Sequence, residues 1–104
     1  MKIEAIKTKV RNGEYFMSQH AIRESAKDGL LDEDIEKAVL NGMIIEEYPS
    51  DPRGKSCLIC GLTKEDKYIH VVIGLKESEV VIITVYIPEP PKWESPYKRG
   101  GKGK

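Results

Sequence analysis

Apolar and polar positions follow two rhythms along this chain, and the change of rhythm divides it in half. Early on, Ile3, Ile6 and Val10 recur at helical spacing, which predicts a helix that Asn12-Gly13 stops. Tyr15-Phe16-Met17 reads as a short extended piece leading to Ser18, a suitable N-cap. A second helix follows as far as Asp28-Gly29, burying Ala21, Ile22, Ser25 and Ala26 in some combination. Asp32-Glu33-Asp34 opens a third, because acids in a first turn complement the helix dipole. Ile35, Ala38 and Val39 form its buried stripe, and Asn41-Gly42 closes it.

Beyond that point the period shortens to two. Met43 to Tyr48, Ser56 to Leu62, Tyr68 to Leu75 and Val80 to Ile87 read as strands joined by short polar connections, so an antiparallel meander is the simplest path. The fold class is therefore α+β: N-terminal helices packed on one face of a four-stranded, mainly antiparallel sheet. Pro88-Glu89-Pro90-Pro91 takes the chain out of the sheet, and Lys92-Trp93-Glu94 folds back onto the body. Residues 1–97 make a single domain, and 98–104 a basic, disordered tail.

Alternation assigns faces. Ile69, Val71, Ile73 and Leu75 share one side of their strand, with Val81, Ile83, Val85 and Ile87 beside them as an apolar wall for the helices. The opposite side carries His70, Thr84 and Tyr86, with Lys92 and Trp93 arriving just beyond and a loop bearing Arg53 and Lys55 overhanging it.

A length of 104 residues supports one core and no more. No apolar run approaches the roughly 20 residues needed to span a bilayer, and the charged N-terminus is no secretory leader, so a soluble, cytoplasmic protein without a membrane partner is expected. The net charge of zero conceals segregation. Glu24, Asp28, Asp32, Glu33, Asp34, Glu36, Glu46, Glu47 and Asp51 face only Lys27 and Lys37 within their stretch, whereas both ends of the chain are basic. If the ends meet, they form a surface able to attract phosphates. Cys57 and Cys60 lie three apart within a strand, hence on opposite faces, which suits buried thiols better than a zinc or redox pair. No metal-ligand spacing, phosphate loop or cofactor fingerprint is present, so no metal site and no cofactor are expected.

The chemistry concentrates in Ser18-Gln19-His20-Ala21-Ile22-Arg23-Glu24. Histidine and arginine three residues apart project from one helix face. Imidazole moves protons near neutral pH and guanidinium offers a fixed fork of donors, a pairing suited to an anionic ligand.

From SQHAIRES through LDEDIEKAVLNGMIIEEYPSDPRGKSCLICG and YIHVVIGL to VVIITVYIPEPPKWE, the chain resembles a family of short prokaryotic domains of unknown function within the RelE/ParE-like toxin superfamily. The likeness runs from Tyr15 to Glu94, and His20 with Arg23 and the terminal IITVY…PPKWE block are its most specific parts. It implies a RelE-like fold and a toxin–antitoxin pair whose antitoxin often carries a zinc-binding module and a helix-turn-helix. Some superfamily members are metal-independent ribonucleases of mRNA, in which the ribose 2′-hydroxyl attacks the adjacent phosphate; others poison gyrase. For an endoribonuclease reaction this chain itself offers His20, Arg23, His70 and Tyr86 as catalytic residues, with Arg53, Lys55, Thr84, Lys92 and Trp93 holding RNA; catalytic sets vary widely across the superfamily. The competing readings are a non-catalytic protein-binding module of the gyrase-poison or antitoxin-bound type, and a solitary RNA-binding domain. The acid-rich middle of the chain departs from the basic character of ribosome-dependent toxins.

Overall fold

The computed structural model describes residues 2–52 and 54–100. Three helices, α1 (Ile3–Arg11), α2 (Gln19–Lys27) and α3 (Asp32–Asn41), precede the strands β2 (Met43–Tyr48), β3 (Ser56–Leu62), β4 (Tyr68–Lys76) and β5 (Glu79–Tyr86), while β1 (Tyr15–Met17) lies between α1 and α2. The class is α+β. The sheet, however, has five strands in the order β1-β5-β4-β3-β2, because the short piece at Tyr15 pairs in parallel with β5. The other three pairings are antiparallel, so the sheet is mixed rather than four-stranded. A second sheet is a hairpin of β6 (Trp93–Ser95) and β7 (Lys98–Arg99), so Lys98 and Arg99 belong to the folded body and not to a tail. Residues 101–104 lie outside the described residues.

All three helices pack on one sheet face. Ile6 and Val10 of α1, Ala21 of α2 and Ile35, Ala38 and Val39 of α3 meet Cys57 and Ile59, Ile69, Val71 and Ile73, and Val80, Ile82 and Val85. Each fully buried branched side chain contributes about 1.5–3 kcal/mol. The apolar wall on β5 is not the expected one. A bulge opposite Val72 and Ile73 leaves Ile83 without a partner, so Val80 and Ile82 face the helices before it and Val85 after it.

Local chemistry sets the helix positions. The Asp34 carboxylate accepts the Leu31 N–H at 2.9 Å and is nearly buried there, which closes the start of α3. Against β3, α3 comes so near that a Cβ on Gly61 would lie 2.6 Å from the Ala38 carbonyl carbon. Only glycine permits that approach. Cys57 joins the helix-facing core, while Cys60 faces the other way, opposite His70. Both thiols are free and buried, and burial pushes Cys57 up to about 11. Among the described residues no helix is long and apolar enough to cross a membrane.

Candidate functional site

The bulge in β5 also fixes the start of α2. The Ser18 N–H donates to the Ile82 carbonyl at 2.9 Å, and its hydroxyl donates to the Ile83 carbonyl at 2.7 Å. The same hydroxyl oxygen accepts the Ala21 N–H at 3.0 Å as the helix cap. One serine thus pins the first turn of α2 to an irregular segment of sheet. His20 and Arg23 follow immediately, one helical turn apart and both exposed. Neither side chain makes a hydrogen bond or ion pair with another described residue. Imidazole and guanidinium are presented to solvent on a rigid mount, free to meet an anionic ligand.

The second cluster is sealed. His70 on β4 is fully buried on the helix-free face, beneath the β6–β7 hairpin. Its Nε2 lies 2.6 Å from the Pro96 carbonyl, which can only accept, so Nε2 carries the hydrogen. Burial drives its pKa down and so favours the neutral ring, opposed in part by the Pro96 carbonyl and Glu46. Nδ1 therefore accepts the Tyr86 hydroxyl at 3.1 Å. Trp93 and Tyr86 meet the imidazole edge-on at centroid distances of 4.4 and 5.1 Å. Burial raises the Tyr86 pKa. The Trp93 indole N–H is buried without a hydrogen-bond partner among the described residues.

Arg99 holds the hairpin down. Its guanidinium lies 4.6 Å from the centre of the Trp93 ring and forks onto Glu46 at 2.8 and 2.9 Å. Those bonds hold the Glu46 carboxyl below the usual carboxylate range. The Tyr48 hydroxyl donates to the same carboxylate; burial, then that carboxylate, push Tyr48 up to about 12.

The residues singled out from sequence thus separate into two groups. His70, Tyr86 and Trp93 come together as expected, but as an enclosed anchor rather than an open site. His20 and Arg23 stand apart on α2 and touch none of them. Thr84 is half-buried on β5, directly after the bulge. Lys55 is exposed, and its carbonyl accepts the Leu75 N–H at 2.9 Å. Lys92 is exposed at the start of the hairpin, its carbonyl accepting the Gly100 N–H at 2.8 Å. Arg53 lies outside the described residues. Glu46, Pro96 and Arg99 were not anticipated, although Ser95-Pro96 is a turn signal that could have marked the hairpin. Among the described residues no group of histidine, cysteine and carboxylate side chains could hold a metal ion.

A family model described as a domain of unknown function, DUF4258, matches residues 17–87. That span takes in α2, α3, β2 to β5, His20, Arg23 and His70, and leaves out α1 and the hairpin. No curated protein and no solved structure matches.

Proposed function

The chain belongs to the DUF4258 family, a domain of unknown function, and from its exposed pair on α2 we propose that it is a toxin-like, metal-independent endoribonuclease. The observation that carries this reading is the free presentation of His20 and Arg23 on a helix fastened to the sheet through Ser18. The likeness of the sequence to the RelE/ParE-like superfamily, and a RelE-like fold with it, belongs to the same reading.

RNA supplies its own nucleophile. His20 takes the proton of a ribose 2′-hydroxyl as that oxygen forms a bond to the adjacent phosphorus. The bond from phosphorus to the 5′ oxygen breaks, and that oxygen leaves with a proton from solvent. Arg23 sits against the phosphate and offsets the negative charge that gathers on it. The exposed Lys55 and Lys92 hold flanking phosphates. His70, Tyr86 and Trp93 stiffen the sheet beneath and take no proton from substrate, since both ring nitrogens of His70 are already engaged. A protein antitoxin would then restrain the activity.

The test uses purified protein and a single-stranded RNA with one 2′-deoxy position. The proposal expects cleavage to 2′,3′-cyclic phosphate and 5′-hydroxyl ends, with none at the deoxy position. Cleavage at that position, or 5′-phosphate ends, overturns the mechanism.

A further inference from the structure

β1 is paired on one side only. Peptide groups along a strand alternate in direction. Because the Ser18 N–H points inward to Ile82, the N–H and C=O groups of Tyr15 and Met17 point outward, where no described strand meets them. Such an edge is a template for another strand.

Side chains along this edge are unusual for one left open. Phe16, on the helix-free face, is 58% exposed, and Ile22 of α2, on the helix side, is 52% exposed. Two depressions flank the strand. One, of about 540 Å³, is bounded by Tyr15, Met17 and Ile22 with the carboxylates of Asp32 and Glu36. The other, of about 310 Å³, is bounded by Phe16, Glu14 and Glu79, with Lys9 the cation on its wall. Apolar floors with carboxylate rims therefore lie beside a free hydrogen-bonding edge: Tyr15 and Met17 line one depression, where Glu36 accepts the Tyr15 hydroxyl, and Tyr15 and Phe16 line the other.

We propose that this edge docks an extended, basic segment of a partner protein, added as a sixth strand beside β1. Residues along such a segment alternate between the two faces, so its apolar side chains reach Phe16 and Ile22 while its lysines and arginines reach the carboxylates. Charge selects this occupant. A second copy pairing through the same edge would set Glu14, Asp32, Glu36 and Glu79 against their own duplicates, and RNA would meet the same carboxylates with its phosphates.

The probe is a capped octapeptide alternating valine with lysine and arginine, titrated into ¹⁵N-labelled protein, beside a counterpart with glutamate at every basic position. The expected result is binding of the basic peptide with Kd below about 1 mM. Amide shifts should centre on 15–17 and 80–82, and exchange at Tyr15 and Met17 should slow. Phe16→Ser, at an exposed position that should not threaten folding, should weaken binding by about tenfold, and Asp32→Asn with Glu79→Gln should weaken it further. His20→Ala should leave it unchanged. Absence of shifts at 15–17, equal binding of the acidic peptide, unchanged affinity of Phe16→Ser, or a dimer of the protein closed through β1 each overturns the proposal.

Discussion

Replacing His70 with phenylalanine separates an anchoring ring from a proton-transfer ring. The substitution keeps a planar ring of similar size against Trp93, so the edge-on contact survives. It removes the bonds to the Pro96 carbonyl at 2.6 Å and the Tyr86 hydroxyl at 3.1 Å. Each is worth about 1 kcal/mol net, and an acceptor left stranded under the hairpin adds about 1–3 kcal/mol. The half-buried Tyr86 hydroxyl can turn elsewhere, so the loss totals about 2–4 kcal/mol. Against a whole stability of about 5–15 kcal/mol that is severe, a Tm lower by roughly 10–25 °C in a domain of this size. The sign of the pH dependence follows from the same geometry. Burial lowers the folded pKa of His70, so below about pH 6.5 the unfolded chain takes up a proton that the folded chain does not. Wild-type stability therefore falls as pH drops from there through the lowered folded value, and the variant lacks this component. Thermal melts of both proteins between about pH 5 and about pH 7.5 should show a gap that is widest at the neutral end and narrows toward acid. A variant within about 1 kcal/mol of wild type at neutral pH, or a gap that widens toward acid, refutes the anchoring role.

Three other perturbations probe the frame. Gly61→Ala would set a Cβ 2.6 and 2.9 Å from the Ala38 carbonyl carbon and Cα, backbone that cannot rotate away; α3 must retreat, at a cost of about 3 kcal/mol or more by chemical denaturation. Ser18→Ala removes the cap and its tie to the bulge, costing about 1 kcal/mol and speeding amide exchange in the first turn of α2, with loss of RNA cleavage alongside. Arg99→Gln breaks a partly exposed ion pair, so the melt should move by less than about 1 kcal/mol while β6–β7 becomes more open to protease.

The helices and the four long strands are legible because their periods are clean: Ile35, Ala38 and Val39 can share a face only as a helix, and Ile69, Val71 and Ile73 only as a strand. The pairing of β1 is not legible. Three residues carry too little pattern, and a parallel partner more than sixty positions away is a tertiary choice. The β5 faces misled for another reason. Val80-Val81-Ile82-Ile83 is apolar at every position, so a one-residue bulge leaves no trace in the pattern although it exchanges the two faces. The companions of His70 were readable from alternation, but its enclosure was not, because the lid is a hairpin of three and two residues in a stretch rich in proline and lysine. The exposed pair at His20 and Arg23 needed only the helix and its cap, both visible in Ser18 and the spacing that follows.

The most direct measurement is the single-turnover rate of RNA cleavage by wild type, His20→Ala, Arg23→Ala and His70→Phe, at a temperature where all four are folded. The account predicts cleavage by wild type, a loss of about 10²–10⁴-fold in His20→Ala, a comparable loss in Arg23→Ala, and a rate near wild type for His70→Phe. Cleavage that survives in His20→Ala and Arg23→Ala but vanishes in a folded His70→Phe would contradict it and return the chemistry to the buried cluster.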